Sequence, residues 1–517
     1  MTNGIIPTIK LSMELTKVLA DIEMNGIYVD KNKLSEIKTK FEKELVELEN
    51  WLHKKTKLFM GDTPVNLDSP EDRSVLFYSI KITDKKRWKQ IFNIGFEIRG
   101  NTQKPKRRTQ FDSIQDFYRE VNCMARAVFK THGTACHNCN GTGKYIYLKK
   151  DGTESKIKRK CKTCDETGIL FTNLKERAGL GLKPRNSVDC SALGFKTDKN
   201  ILDNFLSTTS GLQYDFLKKY IRYSAIRTYL RTFVNGIQNA IADDDKIHPQ
   251  LMQCVTSTGR LSSRNPNFQN MPRANTFPVR ECIISRWKGG KILEGDYAQL
   301  EFRVAGFLSD DKQVYKDVKN SFDVHSYTAK ILGVSRQKAK SDTFKPLYGG
   351  VLGTPKQMQY YRAFKIKYNG ITQWHRKLQD EALLTNKVVL PSGRQYFFPN
   401  VERMRSGSVT NSTAIKNYPV QGFATADLLS IALINLKKML TKHKLKTIIC
   451  NTVHDSIVLD VYPNEENIAI KIMKGAMMSL SDECVKRYGF EYTMPVGIEL
   501  KLGDDWLNMK EVYKTNG

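Results

Sequence analysis

Two aspartates carry the first sign of chemistry in this chain: Asp296, in Leu293-Glu-Gly-Asp-Tyr-Ala-Gln-Leu-Glu-Phe-Arg303, and Asp455, in Thr452-Val-His-Asp-Ser-Ile-Val-Leu-Asp460. A carboxylate at the end of an apolar strand is costly to bury unless a cation or hydrogen-bond donors compensate it. Two of them, with a basic helix encoded between, point to a metal site for phosphoryl transfer. In that helix Arg336, Lys340, Phe344 and Tyr348 recur at every fourth position. Four residues of α-helix advance about 400°, so these side chains drift only about 40° per step and form one stripe. Two cations followed by two aromatics suit a triphosphate at one end and a base and sugar at the other. An ordinary amphipathic surface helix does not expose two aromatics beside two cations. Pro346 removes a hydrogen bond to residue 342 and should kink the helix at a cost of about 3 kcal/mol, which puts the orientation of Tyr348 in question. Gly349 and Gly350 then end it.

A second group with chemistry is Cys136-His-Asn-Cys139-Asn-Gly-Thr-Gly143 with Cys161-Lys-Thr-Cys164-Asp-Glu-Thr-Gly168. Each cysteine pair is followed by a glycine turn that lets backbone amides point at sulfur, and four thiolates arranged tetrahedrally suit one structural Zn²⁺. His132 and His137 are weaker ligand candidates. Between the pairs, Lys144 to Lys160 reads as a basic β-hairpin turning at Asp151-Gly152. Ten cysteines are few for 517 residues, and their pairing argues for metal in a reducing compartment rather than a disulfide framework.

The elements that position these groups follow from periodicity. Leu15, Val18, Leu19 and Ile22, then Leu34, Ile37, Phe41, Leu45, Leu48 and Leu52, predict two helices broken at Asn25-Gly26. Arg99 to Lys183 loses the pattern and reads as an insertion. Helical period returns from Leu202 to Ala242 with interleaved basic residues. Strand-like segments with loops follow Pro249, helices run from Ser326 to Leu384, and Lys446 to Val461 and Tyr492 to Leu502 read as strands. A chain this long needs two or three subdomains. Its 83 Lys and Arg against 54 Asp and Glu leave a formal charge of +29, an excess that fits a polyanionic partner, most commonly nucleic acid. No apolar run approaches the roughly 18 residues that span a bilayer, and the N-terminus lacks a basic segment followed by an apolar one, so a monomeric, cytoplasmic protein without membrane contact is expected.

The segment around Asp296 resembles motif A of the family A, polymerase I type, DNA polymerases. Thr256-Ser-Thr-Gly-Arg-Leu-Ser-Ser-Arg-Asn-Pro-Asn-Phe-Gln-Asn-Met-Pro272 resembles the family's primer-template segment, the Arg336 stripe its motif B, and Val453-His454-Asp455 its motif C. Asn417-x-Pro-Val-Gln421-Gly and Val496 to Trp506 are similar too. The resemblance implies an α+β right-hand fold. Thumb is expected over 1–245, with an insertion at 100–182 whose zinc-binding part is about 130–170; palm with an antiparallel sheet over 246–305 and 400–517; helical fingers over 306–399. It implies two catalytic Mg²⁺ held by Asp296, Asp455 and the Tyr297 carbonyl. Such ions lie roughly 3.5–4 Å apart, activating the primer hydroxyl and neutralising the leaving group. It implies dNTP contacts from Gln299, Glu301, His325, Arg336, Lys340, Phe344 and Tyr348, with Lys340 also protonating pyrophosphate. Arg260, Gln269, Asn270, Asn417, Gln421 and His454 would track primer and template along the minor groove, where amides and Arg reach acceptors shared by all base pairs.

Glu301 falls where the family packs a side chain against the sugar 2′ position, which implies deoxynucleotide selectivity; the bland alternative is a surface Glu paired with Arg303. Ser456 stands where many relatives carry Glu, so a further carboxylate near the metals is expected to be missing, and Thr413 stands where relatives often have Arg. The thumb-like helices begin near the N-terminus, so no proofreading is expected in this chain, with a separate exonuclease or a processivity factor as candidate partners. The basic knuckle, through Lys149, Lys150, Lys156, Lys158, Arg159, Lys160 and Lys162, is expected to grip duplex DNA or a partner and raise processivity. The composition is compatible with a bacteriophage-like or plasmid replicase. Two other readings share the aspartate pair or the scaffold: a single-subunit RNA polymerase or primase-like enzyme, and a catalytically silent nucleic-acid-binding protein.

Overall fold

Leu11, Leu15, Val18, Leu19 and Ile22 lie buried along one face of the first helix, α1 (Ile6–Asn25). The computed structural model describes residues 6–92, 94, 96–99, 102–105, 111–155 and 157–517. The chain divides into two compact units: residues 1–38 with 231–517, and residues 39–230. This division departs from the expected thumb boundary at 245, because the apolar face of α1 shares one core with Leu293, Leu433 and Ile449 of the larger unit.

That unit is built on strand β1 (Lys291–Tyr297), followed by helices α2 (Leu300–Ser309), α3 (Val324–Leu332) and α4 (Arg336–Leu347). A long helix, α5 (Ser412–Lys442), then leads to strands β2 (Ile448–Val453), β3 (Ser456–Val461), β4 (Ile498–Gly503) and β5 (Met509–Thr515). The five strands form one antiparallel sheet in the order β2-β3-β1-β4-β5. Register sets Asp296 opposite Ser456 on β3 and Glu499 on β4. Because side chains alternate along a strand, Glu294 and Asp296 share a face. Gly295 faces the other way, where Met473 and Met477 of the helix Glu466–Met478 leave no room for a side chain.

α5 is the one helix among the described residues long and apolar enough to cross a bilayer, which corrects the expectation that no apolar stretch approaches that length. Its composition follows from its place: 89% of the apolar window is buried inside the protein, as for a core helix packed on several sides.

The smaller unit has an aromatic core in which Phe77, Phe216 and Tyr220 meet edge to face, as do Trp88, Phe92 and Phe195. Strands Phe129–Ala135 and Ile169–Arg177 pair antiparallel as the stem of the cysteine region. The expected basic hairpin is present, with Lys144 opposite Lys160 and Tyr145 opposite Arg159. Lys149, Lys150, Lys158, Arg159, Lys160 and Lys162 are exposed, while Lys156 lies outside the described residues.

Candidate active site and zinc centre

Asp296 is the penultimate residue of β1, and Asp455 sits in the tight turn between β2 and β3, where His454 adopts a left-handed φ of 56°. Non-glycine residues adopt that backbone rarely, and such strain concentrates at functional sites. The turn lies at the same sheet end as Asp296, and the Tyr297 amide donates to the Asp455 carbonyl at 3.3 Å. The two carboxyl groups line one cavity and act on each other electrostatically. Burial raises the Asp296 pKa above the ordinary carboxylate range, against the pull of Arg273, whose Nη1 is 3.6 Å from Oδ2. Burial raises Asp455 further, and the neighbouring Asp296 adds to it. Asp296 Oδ1 is buried without a hydrogen-bond partner. Two half-buried carboxyls with an unsatisfied oxygen suit a hard divalent cation, which prefers carboxylate oxygens.

A cavity of about 690 Å³ opens over this pair. Its lining includes Tyr297, Gln299, Glu301, His325, Arg336, Lys340, Phe344, Tyr348, Arg260, Gln421 and His454, so most of the sequence-predicted positions come together. Gln269 and Asn270 line a neighbouring cavity that shares Arg260 and His454 with the first. Asn417 lines neither, and its Oδ1 is buried without a partner.

The motif B stripe is presented as one face. Ser335 caps α4 by accepting from the Lys338 amide at 3.4 Å, and Thr343 bonds Thr328 of α3 at 2.9 Å. Pro346 falls in the last turn, where the Tyr348 amide still reaches the Phe344 carbonyl at 3.0 Å. The helix runs to Leu347, and the Tyr348 ring stacks on Phe344, 6.0 Å between centroids with planes 8° apart. Arg336 Nε donates to Asp323 at 2.7 Å. Burial opposes ionisation of Asp323, but the bonds from Arg336 and Ser326 outweigh it and hold its pKa at about 2. Lys340 carries no ion pair among the described residues. His325 is buried with Nδ1 unpartnered, and burial lowers its pKa to about 4, so its ring is neutral at pH 7.

Glu301 does not pair with Arg303. Its carboxylate accepts from Arg260 Nη2 and from the Tyr348 hydroxyl. Arg303 instead donates to the carbonyls of Ala298, Pro495 and Asn516. Glu301 thus ties the primer-template segment to the motif B helix at the cavity wall.

Two further carboxylates lie in the neighbourhood of Asp296 and Asp455, although among the described residues neither closes with them into a group that could share one metal ion. Glu499 lines the cavity opposite Asp296, and burial of its carboxylate is outweighed by Lys501 and Lys514, which bring its pKa to about 2. Buried Glu294, on the same strand as Asp296, accepts from the Ser456 hydroxyl at 3.0 Å. Sequence reasoning missed Glu294, Glu499 and Arg273. Strand alternation in Leu-Glu-Gly-Asp would have flagged Glu294; the other two depend on register and a loop.

In the smaller unit the four predicted cysteines converge. Their sulfurs lie within 4.8 Å of one another and all four are buried. Cys136 and Cys161 are 3.8 Å apart, Cys139 and Cys164 3.7 Å. A tetrahedron with zinc–sulfur bonds of about 2.3 Å has edges of about 3.8 Å, so the sulfurs already have the spacing of a zinc site. The Gly143 and Gly168 amides donate to Cys139 and Cys164 sulfur, each at 3.3 Å. Both glycines have positive φ, and a Cβ on either would lie 2.2 Å from a carbonyl oxygen of the opposite turn. Neither His132 nor His137 belongs to the cluster.

The antiparallel sheet bearing two aspartates beneath a basic-aromatic helix defines the right-hand polymerase fold. The chain belongs to DNA polymerase family A, whose profile matches residues 167–508. It is 31% identical over 365 residues to DNA polymerase I of Lactococcus lactis subsp. lactis, covering 66% of this chain and 39% of that protein. To the thermostable DNA polymerase I of Thermus aquaticus it is 26% identical over 320 residues, 58% of this chain and 37% of that protein. The chain therefore spans about two fifths of the length of these relatives. Among solved structures, the POL domain of Pol1 from M. smegmatis, in complex with DNA primer-template and dNTP, matches with TM-score 0.64 and 18% identity, covering 96% of this chain and 70% of that one.

Proposed function

We propose that this protein is a DNA-directed DNA polymerase that adds deoxynucleotides to a primer 3′ end. The observation that carries the reading is the single cavity in which Asp296 and Asp455 face the Arg336, Lys340, Phe344 and Tyr348 stripe. Asp296 and Asp455 would hold Mg²⁺, which when bound activates the primer hydroxyl and neutralises the leaving pyrophosphate. Arg336, released from Asp323, and Lys340 bind the triphosphate, and Lys340 delivers a proton to the departing pyrophosphate. Phe344 and Tyr348 present a flat wall to base and sugar. Glu301, fixed by Arg260 and Tyr348, occupies the space a 2′-hydroxyl would need. Arg260, Gln421 and His454, with Gln269, Asn270 and Asn417, follow the primer-template minor groove.

The four-cysteine cluster takes one structural Zn²⁺, and the exposed basic hairpin it anchors grips duplex DNA during extension. Extension by this chain is proposed to proceed without proofreading. The deciding experiment is extension of a labelled primer with Mg²⁺, offering dNTPs, rNTPs and a mismatched primer end. Extension with dNTPs alone and persistence of the mismatch fit the reading. Equal use of rNTPs favours an RNA polymerase, and binding without extension favours a silent nucleic-acid-binding protein.

A further inference from the structure

Glu294 is a buried acid with no assigned task. It precedes Asp296 by two residues on β1, so both side chains leave the same face of the sheet. Its Oε1 accepts from Ser456, the residue directly across from Asp296. Ser456 is wholly buried, and its single hydroxyl proton is shared between Glu294 and the Val453 carbonyl, each at 3.0 Å. Glu294 also lines a second cavity, of about 200 Å³, together with Asp296, Arg273 and Glu499. Its negative charge acts on Asp296 through space. Glu294 also forms a long ion pair with Arg280, whose Nη1 is 3.9 Å from Oε1, beyond hydrogen-bonding distance. Arg280 itself is buried, stacked 3.9 Å over Trp506, and bonded to the Met271 carbonyl at 3.3 Å.

We propose that Glu294 is a further acidic group serving the metal site from behind Asp296, a positioning residue supplied by the motif A strand and oriented by Ser456. The position after Asp455 offers a hydroxyl, and the strand of Asp296 offers a carboxylate. Glu294 contributes field and a hydrogen-bond acceptor beside Asp296, so its charge strengthens cation binding without direct contact with nucleotide. This inference rests on the polymerase reading of the Asp296 and Asp455 pair.

The test is Mn²⁺ binding followed by electron paramagnetic resonance, on the full chain with a dideoxy-terminated primer-template and the next dNTP, so that no turnover is needed. Glu294→Gln keeps the shape and removes the charge. Its Mn²⁺ affinity should fall about tenfold, the lower end of the cost usual for groups that orient metal ligands. The exchange variant Glu294→Ser with Ser456→Glu should recover most of that loss. Affinity within twofold of wild type in Glu294→Gln overturns the proposal. So does a loss that the folded exchange variant fails to recover, which assigns Glu294 to Arg280 instead. Should the exchange variant not fold, Ser456→Ala decides: a several-fold loss of Mn²⁺ affinity supports the orienting role, and unchanged affinity overturns it. Wild-type extension, run alongside, reports separately on the polymerase reading.

Discussion

Neutralising Asp455 should stabilise the metal-free protein while abolishing extension. Asp296 and Asp455 line one cavity, burial raises both pKa values, and the charge of Asp296 raises that of Asp455 further. Two full charges about 4 Å apart at an effective dielectric of about 20 repel by about 4 kcal/mol. A shared proton relieves part of this, so Asp455→Asn should gain about 2 kcal/mol in EDTA at pH 7.5, or about 2–4 °C in Tm for a unit of this size. The pH dependence follows from the direction of the shifts. An acid whose folded pKa is raised ionises more readily in the unfolded chain, so metal-free wild type loses stability as pH rises from about 4 through the raised values. Below about pH 4, where the carboxyls are protonated in both states, the variant should have no advantage. Mg²⁺ binds the native pair and should raise wild type toward or past the variant. Thermal melts across pH 4–8, with EDTA or Mg²⁺, give the comparison. The reasoning is refuted if Asp455→Asn melts at or below wild type in EDTA at pH 7.5, or if its advantage is unchanged at pH 4.

Glu301→Ala removes the group that Arg260 and Tyr348 hold at the cavity wall; rNTP incorporation relative to dNTP should rise by about 10- to 100-fold, the range for shape-based exclusion, and an unchanged ratio in single-nucleotide kinetics would count against the gate. Purified protein should contain one zinc per chain by mass spectrometry; strong chelation or Cys161→Ser should release it and open residues 130–170 to proteolysis, because such sites fold with their metal. Ala135 and Ile169 are register partners, so replacing residues 136–168 with a short glycine linker leaves the stem intact. That deletion should shorten the products of one binding event while single-nucleotide addition persists; unchanged product lengths from a folded deletion would refute a role in grip.

The parts of this protein that were legible in its sequence are those where chemistry repeats at the period of one element. The motif B stripe is such a case: spacing by four on a helix fixes a common face, whatever the helix packs against. The cysteine pairs are another, since each pair and its glycine turn form a local unit that folds toward its metal. The β5 strand was missed because Met-Lys-Glu-Val-Tyr-Lys-Thr, at the sheet edge, is mostly charged or exposed and lacks a clean apolar alternation. Pro346 is tolerated in the last turn of its helix, where only Leu347 follows.

What the sequence concealed is chiefly cross-strand. Asp296 meets Ser456 and Glu499 only through the pairing of β1 with β3 and β4, and those partners come from segments remote in the chain. A one-residue slip of β1 would turn Glu294 and Asp296 to the opposite face and present Gly295 to the cavity. The register resists that slip because the other face is packed: Met473 and Met477 fill the space beside Gly295 and would collide with either acidic side chain. The same packing that gives the sheet its core therefore selects which carboxylates reach the nucleotide side. Enlarging Gly295 should disturb the metal site from the opposite face of the sheet, without touching any residue that lines the cavity.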